Sequence, residues 1–231
     1  MSRVAALFDM DKTILCENSA SLYMRHRYQQ GEVSGRDLAQ GLGAYLLYKV
    51  GMLDTQAWTK SMMVDFKGRE ERALAHEGQR LFGDFVRDTI YPEAEQLIQE
   101  HRDQGHTVAI VSGATRYIVE PVADFLGVEH CLYTRLEIEK GMLTGRVVEP
   151  LCFDEGKIYW IQQFIQDHDI DLARSYFYSD SVTDLPLLEM VGHPVVTNPD
   201  PLLYRTAVKR RWPVRLFQAP EAPGTGQASA S

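Results

Sequence analysis

Leu7-Phe8-Asp9-Met10-Asp11-Lys12-Thr13 is the stretch on which the reading of this chain turns. The apolar lead Val4, Ala5, Ala6, Leu7 and Phe8 predicts a short buried strand. That strand stops on two carboxylates with one residue between them. An ionised carboxylate out of water is costly unless a cation pairs with it. Two of them at a strand end ask for a metal ion, a shared proton, or both. In open α/β sheets the carboxyl ends of the strands are where ligands bind. Asp9 and Asp11 are therefore candidate site residues. The competing reading is a polar turn in which Asp-Lys-Thr caps a helix.

The rest of the chain supplies more strand ends of this kind. Thr107-Val108-Ala109-Ile110-Val111 is a β-branched apolar run, hence a buried strand, and it ends in the small polar turn Ser112-Gly113-Ala114-Thr115. A helix over about 117–125 follows at once. Such a turn offers a hydroxyl and backbone N–H groups to an anion at a helix N-terminus; taken alone, a plain Ser/Thr cap explains it equally well. Ser175 to Ser179 reads as a strand running into Asp180-Ser181-Val182-Thr183-Asp184. Two acids four residues apart, in a turn entering a helix, can point to one side. Lys157 falls in the first turn of a helix carrying Ile158, Trp160, Ile161, Phe164 and Ile165. A cation at the positive end of a helix dipole is locally unfavourable, and an anion in front of it would account for the placement.

Between these elements the rhythm changes. Ile14 to Asp88 shows no strand alternation, and apolar residues recur at helical spacing in Leu38, Leu42, Tyr45 and Leu46, then Trp58, Met62, Met63 and Phe66. Gly31, Gly35, Gly51 and Gly68 read as helix stops, so four or five helices form an insertion. Pro92-Glu93-Ala94-Glu95 opens a further helix. Leu136-Glu137-Ile138 and Met142 to Arg146 flank Glu139-Lys140-Gly141 as a hairpin. Pro194-Val195-Val196 is a last apolar strand before the turn Asn198-Pro199-Asp200-Pro201, and 212–217 reads as an edge strand. Residues 218–231, rich in Ala, Pro, Gly and Ser, read as a disordered tail.

Bulk properties exclude several classes. A net charge of −8 argues against a nucleic-acid surface. Three widely spaced cysteines (Cys16, Cys131, Cys152), with no CxxC pair, support neither a zinc site nor a disulfide framework, and point to a reducing, cytoplasmic setting. No run approaches the roughly 20 apolar residues of a membrane span, and the first residues lack the pattern of a signal peptide. Strands alternating with helices give a parallel α/β sheet. Its strand ends would gather acids for a cation, donors for an anion, and a lysine, which is the equipment of phosphoryl transfer.

In their order and spacing, Asp9-Met10-Asp11-Lys12-Thr13, Ser112-Gly113, Lys157 and Asp180 to Asp184 resemble the four motifs of the haloacid dehalogenase superfamily. More narrowly, the chain looks like the phosphoserine-phosphatase-like branch, subfamily IB; the Asn198-Pro199-Asp200 turn is similar too. The resemblance covers about Val4 to Phe217. It implies a three-layer Rossmann-like core (1–15 and 89–217) with a parallel sheet, and an inserted α-helical cap (16–88) that closes over the substrate. It also implies an Mg²⁺-dependent phosphomonoesterase acting on a small phosphorylated metabolite, with phosphoserine and histidinol phosphate as candidates. Asp9 would be the nucleophile, forming an aspartyl-phosphate, and Asp11 the general acid and base. Mg²⁺ would rest on Asp9, the Asp11 carbonyl and Asp180, with Asp184 orienting it or ligating in part. Ser112, Gly113, Lys157 and the Met10 backbone would hold phosphoryl oxygens, and Thr13 would fix the loop. Glu17 and Arg69 are candidate specificity residues by rough position. Phosphoserine phosphatases usually carry Gly and Asn where Ser179 and Thr183 stand. A phosphotransferase using another alcohol as acceptor, and a non-catalytic phosphate- or partner-binding protein on the same fold, remain as alternatives.

Overall fold

The computed structural model describes residues 2–36, 43 and 55–220. The first strand, β1 (Ala5–Asp9), is buried along its whole length. Its side chains alternate: Ala6 and Phe8 enter one core cluster, Ala5 and Leu7 the other. A strand apolar on both faces belongs in the middle of a sheet covered twice. The helical stretch that follows has α1 (Ser19–Gln29), α2 (Thr55–Met63) and α3 (Glu71–Leu81). Then come α4 (Pro92–Asp103), β2 (Thr107–Thr115), α5 (Arg116–Leu126) and the hairpin β3 (His130–Glu139) with β4 (Met142–Val148). The chain continues through α6 (Glu155–His168), β5 (Tyr176–Ser179), α7 (Leu185–Met190), β6 (His193–Thr197), α8 (Pro201–Arg210) and β7 (Val214–Arg215).

The sheet has seven strands in the order β4-β3-β2-β1-β5-β6-β7. Every neighbouring pair is parallel except the β3–β4 hairpin. Leu97 and Ile98 of α4 and Val119, Val122 and Ala123 of α5 pack on one face. Ile161 and Phe164 of α6, Leu187 and Leu188 of α7, and Leu203 and Ala207 of α8 cover the other. This is the α/β, three-layer arrangement expected, and its parallel strands bring the ends of β1, β2 and β5 to one edge. The order reverses direction beside β1, which is where such sheets leave a crevice.

Two local expectations are revised. Residues 112–115 are not a compact turn: β2 stays extended to Thr115, because β3 keeps pairing across a register shift, Ser112 with Tyr133 and Thr115 with Thr134. Gly35 is helical rather than a stop, whereas Gly31, at φ +73°, does follow the end of α1. Leu38, Leu42, Tyr45, Leu46, Gly51 and the 221–231 part of the tail lie outside the described residues. Between β1 and α4, a third apolar cluster joins Phe66 and Leu74 to Tyr117 of α5 and to Leu136 and Leu143 of the hairpin. Gly78 permits that contact: a Cβ there would lie 2.0 Å from the Tyr117 carbonyl oxygen.

Under the sheet, His101 of α4 packs edge-on to Phe8. Its Nε2 lies 2.8 Å from the Tyr178 hydroxyl and its Nδ1 2.8 Å from Nδ1 of His106. His101 is 4% exposed. Burial, then the neighbouring His106, pushes its pKa down to about 4 from the ordinary 6.5. The unfolded chain therefore takes up a proton between these values that the folded chain refuses. Stability contributed by neutral His101 is complete above about pH 6.5 and falls as pH drops toward 4, by about 3 kcal/mol in all. Urea unfolding at pH 7 and pH 4.5 should show this loss, and His101→Gln should flatten the profile across that window.

Candidate active site

Asp9 ends β1 beside Val111 of β2, and Phe8 pairs with Tyr178 of β5. The register sets Asp9 at the end of β1, Ser112 one residue past its partner Val111 within β2, and Asp180 just past the end of β5. Lys157 reaches the same edge from the first turn of α6. Its Nζ donates to Asp9 Oδ1 at 2.7 Å and to Asp184 Oδ2 at 2.9 Å. The two carboxylates resolve the oddity of a cation at a positive helix end. Burial alone would push the Lys157 ammonium down, but Asp184 and Asp9 outweigh it and hold the pKa well above 10.5. Gly156 sets the approach: a Cβ there would sit 1.7 Å from the Leu151 carbonyl oxygen, so only glycine lets this turn lie so close.

The loop after Asp9 is wound tightly. The Met10 carbonyl accepts from the N–H of Thr13 (3.3 Å), Ile14 (2.9 Å) and Leu15 (2.9 Å). Lys12 takes the left-handed conformation at φ +61°. Thr13 is buried, and its hydroxyl meets that of Thr197 at 3.5 Å. Asp11 takes its hydrogen bonds from the other side of the loop's sequence, at the start of α1. Its carboxylate accepts from the Ser19 N–H (2.9 Å), the Ser19 hydroxyl (3.0 Å) and Asn18 Nδ2 (3.2 Å). The start of α1 thus clamps Asp11. Burial raises its pKa, and the Ser19 hydrogen bonds pull against that rise. Asn18 and Ser19 escaped the sequence analysis because each reads locally as an ordinary helix start.

Ser112 is buried, and its Oγ accepts from the Ala114 N–H at 3.1 Å. Gly113 follows on the extended end of β2, with the Phe153 ring filling the place of a side chain. Asp180 and Asp184 are both buried. Ser179, the residue in the place of the usual glycine, donates its hydroxyl to Asp184 Oδ2 at 2.7 Å. Asp184 Oδ2 thus accepts from both Lys157 and Ser179, while Thr183 stands exposed. The two specificity candidates are each committed to a local ion pair: Glu17 with Arg25 at 2.9 Å on the surface, and Arg69 with the buried Glu77.

Among the described residues, the acids at this edge outnumber the buried lysine that pairs with them. Burial pushes Asp9 up to about 7, with Asp184 and Asp11 adding and Lys157 opposing. That lies above the ordinary carboxylate value near 3.9, because the fold takes water away from the carboxylate. A further cation would restore the anion. Among the described residues no three His, Cys, Asp or Glu side chains converge as a metal cage. A metal here would rest on few carboxylates, a backbone carbonyl and water, the sparse oxygen set that suits Mg²⁺ rather than zinc. The donor set fits.

The fold and the similarities found for it define a hydrolase of the phosphatase type. Residues 6–189 match the family model for haloacid dehalogenase-like hydrolases, and the chain belongs to that family. A probable phosphatase of Mycobacterium tuberculosis is 33% identical over 225 residues, covering 95% of this chain and 77% of that protein. A histidinol-phosphatase of Neisseria meningitidis is 30% identical over 218 residues, covering 92% and 98%. A Bordetella pertussis protein of unknown function has the same fold at a TM-score of 0.84, with 29% identity, covering 93% of this chain and 99% of that one. Among the described residues, no helix is long and apolar enough to cross a membrane.

Proposed function

We propose that the chain is an Mg²⁺-dependent phosphomonoesterase that hydrolyses a small phosphorylated metabolite through a phosphoryl group carried on Asp9. The observation that supports this most is the division of labour between the two acids. Asp9 is held by Lys157 at the strand end, and Asp11 is held apart by Ser19 and Asn18. In the first step an Asp9 oxygen bonds to phosphorus while the ester P–O bond breaks, and Asp11 gives its proton to the departing alkoxide. In the second step Asp11 takes a proton from water, the oxygen attacks phosphorus, and the Asp9–phosphorus bond breaks to release phosphate. The burial that raises the Asp11 pKa favours the protonated form needed at the start.

Lys157 and Ser112, with the N–H groups of Met10, Asp11 and Gly113, hold the phosphoryl oxygens. Asp184, fixed by Ser179 and Lys157, steadies that lysine. Asp9, Asp180 and the Asp11 carbonyl would hold Mg²⁺, which supplies charge neutralisation on the transferring group. Segment 16–88 acts as a cap: its described helices are tied to Asp11 through Ser19 and to α5 through Arg116, which pairs with Glu71. A cap of this kind excludes water until the ester is bound.

Histidinol phosphate is a natural first substrate, given the Neisseria relative, and phosphoserine a second, given the branch the sequence resembles. The three free cysteines fit a reducing, cytoplasmic compartment. Phosphate release from a panel of metabolite esters and an aryl phosphate, with and without chelator, tests the proposal. Hydrolysis of at least one ester, lost with chelator and restored by Mg²⁺, is expected. No hydrolysis of any ester would sink it.

A further inference from the structure

Asp200 serves two elements at once. Its Oδ1 accepts from the backbone N–H groups of Leu202 and Leu203, both at 2.9 Å, and so caps α8. Its Oδ2 accepts from the Val182 N–H at 2.7 Å. Its own N–H donates to the Asp180 carbonyl at 2.8 Å. A cap needs only the first pair, and serine would serve it nearly as well. The other two bonds leave α8 and hold the 180–184 loop on both sides of Ser181. That loop carries Asp180 and Asp184. The anchor is firm, because Leu203 and Ala207 fix α8 in the core at 0% exposure.

We propose that Asp200 is a positioning residue for the cation site: it holds the backbone of the 180–184 loop so that Asp180 meets the metal without first being ordered. This rests on the Mg²⁺ reading given above. A carboxylate is required because both of its oxygens accept, in two directions. In asparagine, an oxygen kept on Leu202 and Leu203 turns the amide NH₂ toward the Val182 N–H, donor against donor. Serine keeps the cap and cannot reach Val182. Partners that orient metal-binding groups typically contribute 10- to 100-fold to metal affinity.

The test compares the parent chain with Asp200→Ser and Asp200→Asn, metal-free and without substrate. Mn²⁺ serves as the probe, free Mn²⁺ is read by electron paramagnetic resonance, and Mg²⁺ is added as competitor. Expected is a rise of roughly tenfold or more in the Mn²⁺ Kd for both variants. Their metal-free melting temperatures should stay close to that of the parent, since α8 keeps its cap. In turnover assays the half-saturating Mg²⁺ should rise by more than kcat falls. Equal Mn²⁺ affinity in all three proteins overturns the proposal, as does an affinity loss that only follows a lowered metal-free melting temperature. A parent chain that binds no Mn²⁺ removes the metal reading itself, a different failure.

Discussion

Asp9→Asn should lower turnover of any accepted ester by roughly 10⁴-fold or more, the scale seen when a covalent nucleophile is removed. The expectation follows from placement. Asp9 closes a strand buried on both faces, so its backbone is fixed by Ala5 to Phe8 and cannot swing another group into its place. Asparagine fills the same volume and can still accept from Lys157, but its amide oxygen is a poor nucleophile toward phosphorus. Lys157 keeps Asp184 at 2.9 Å in the variant, so no buried cation is left alone. The fold should therefore survive, and thermal unfolding should show a melting temperature at or above that of the parent, because a buried charge has been removed. Acid quench with phosphorus-labelled substrate should trap label on the parent chain and none on Asp9→Asn. Turnover comparable to the parent would remove Asp9 from the nucleophile's role.

The contrast between these residues explains what sequence can and cannot disclose here. β1 and β2 were legible because a strand covered on both sides must be apolar at every position, and the carboxylates that end β1 stand out against that run. Lys157 was legible for the opposite reason: its place at a positive helix end is locally wrong, and a wrong local choice signals a distant partner. The roles of Ser19, Asn18 and Ser179 were not legible, since the first two have a sufficient local explanation at a helix start and the third at a strand end. Their second roles exist only once the chain brings Asp11 and Asp184 to them. Asp200 is the same case, with a complete local role as a cap and a second set of bonds to Val182 and Asp180. Glu17 and Arg69, given as specificity candidates by rough position, each pair with a nearby opposite charge that sequence spacing did not disclose, Arg25 and Glu77.

Lys157→Met should cost about 3–5 kcal/mol of stability, the range for breaking a buried ion pair on one side. Methionine matches the length of the lysine and packs where its methylenes lie, so the loss reports charge rather than volume. Asp9 and Asp184 would then face each other, 7% and 4% exposed, without the ammonium that now bridges them. Chemical denaturation at pH 7 measures the loss, and the double variant Asp9→Asn/Lys157→Met separates its causes. If the cost is the stranded carboxylates, removing one should return a large part of it, and the two changes should couple strongly instead of adding. If the lysine mattered only as packing, the double variant would differ from Lys157→Met by no more than Asp9→Asn differs from the parent, and the coupling would vanish. On the proposed mechanism, a lysine bonded to both Asp9 and Asp184 serves turnover and folding through the same two oxygens. Substitution there should abolish turnover even where denaturation shows that most molecules remain folded.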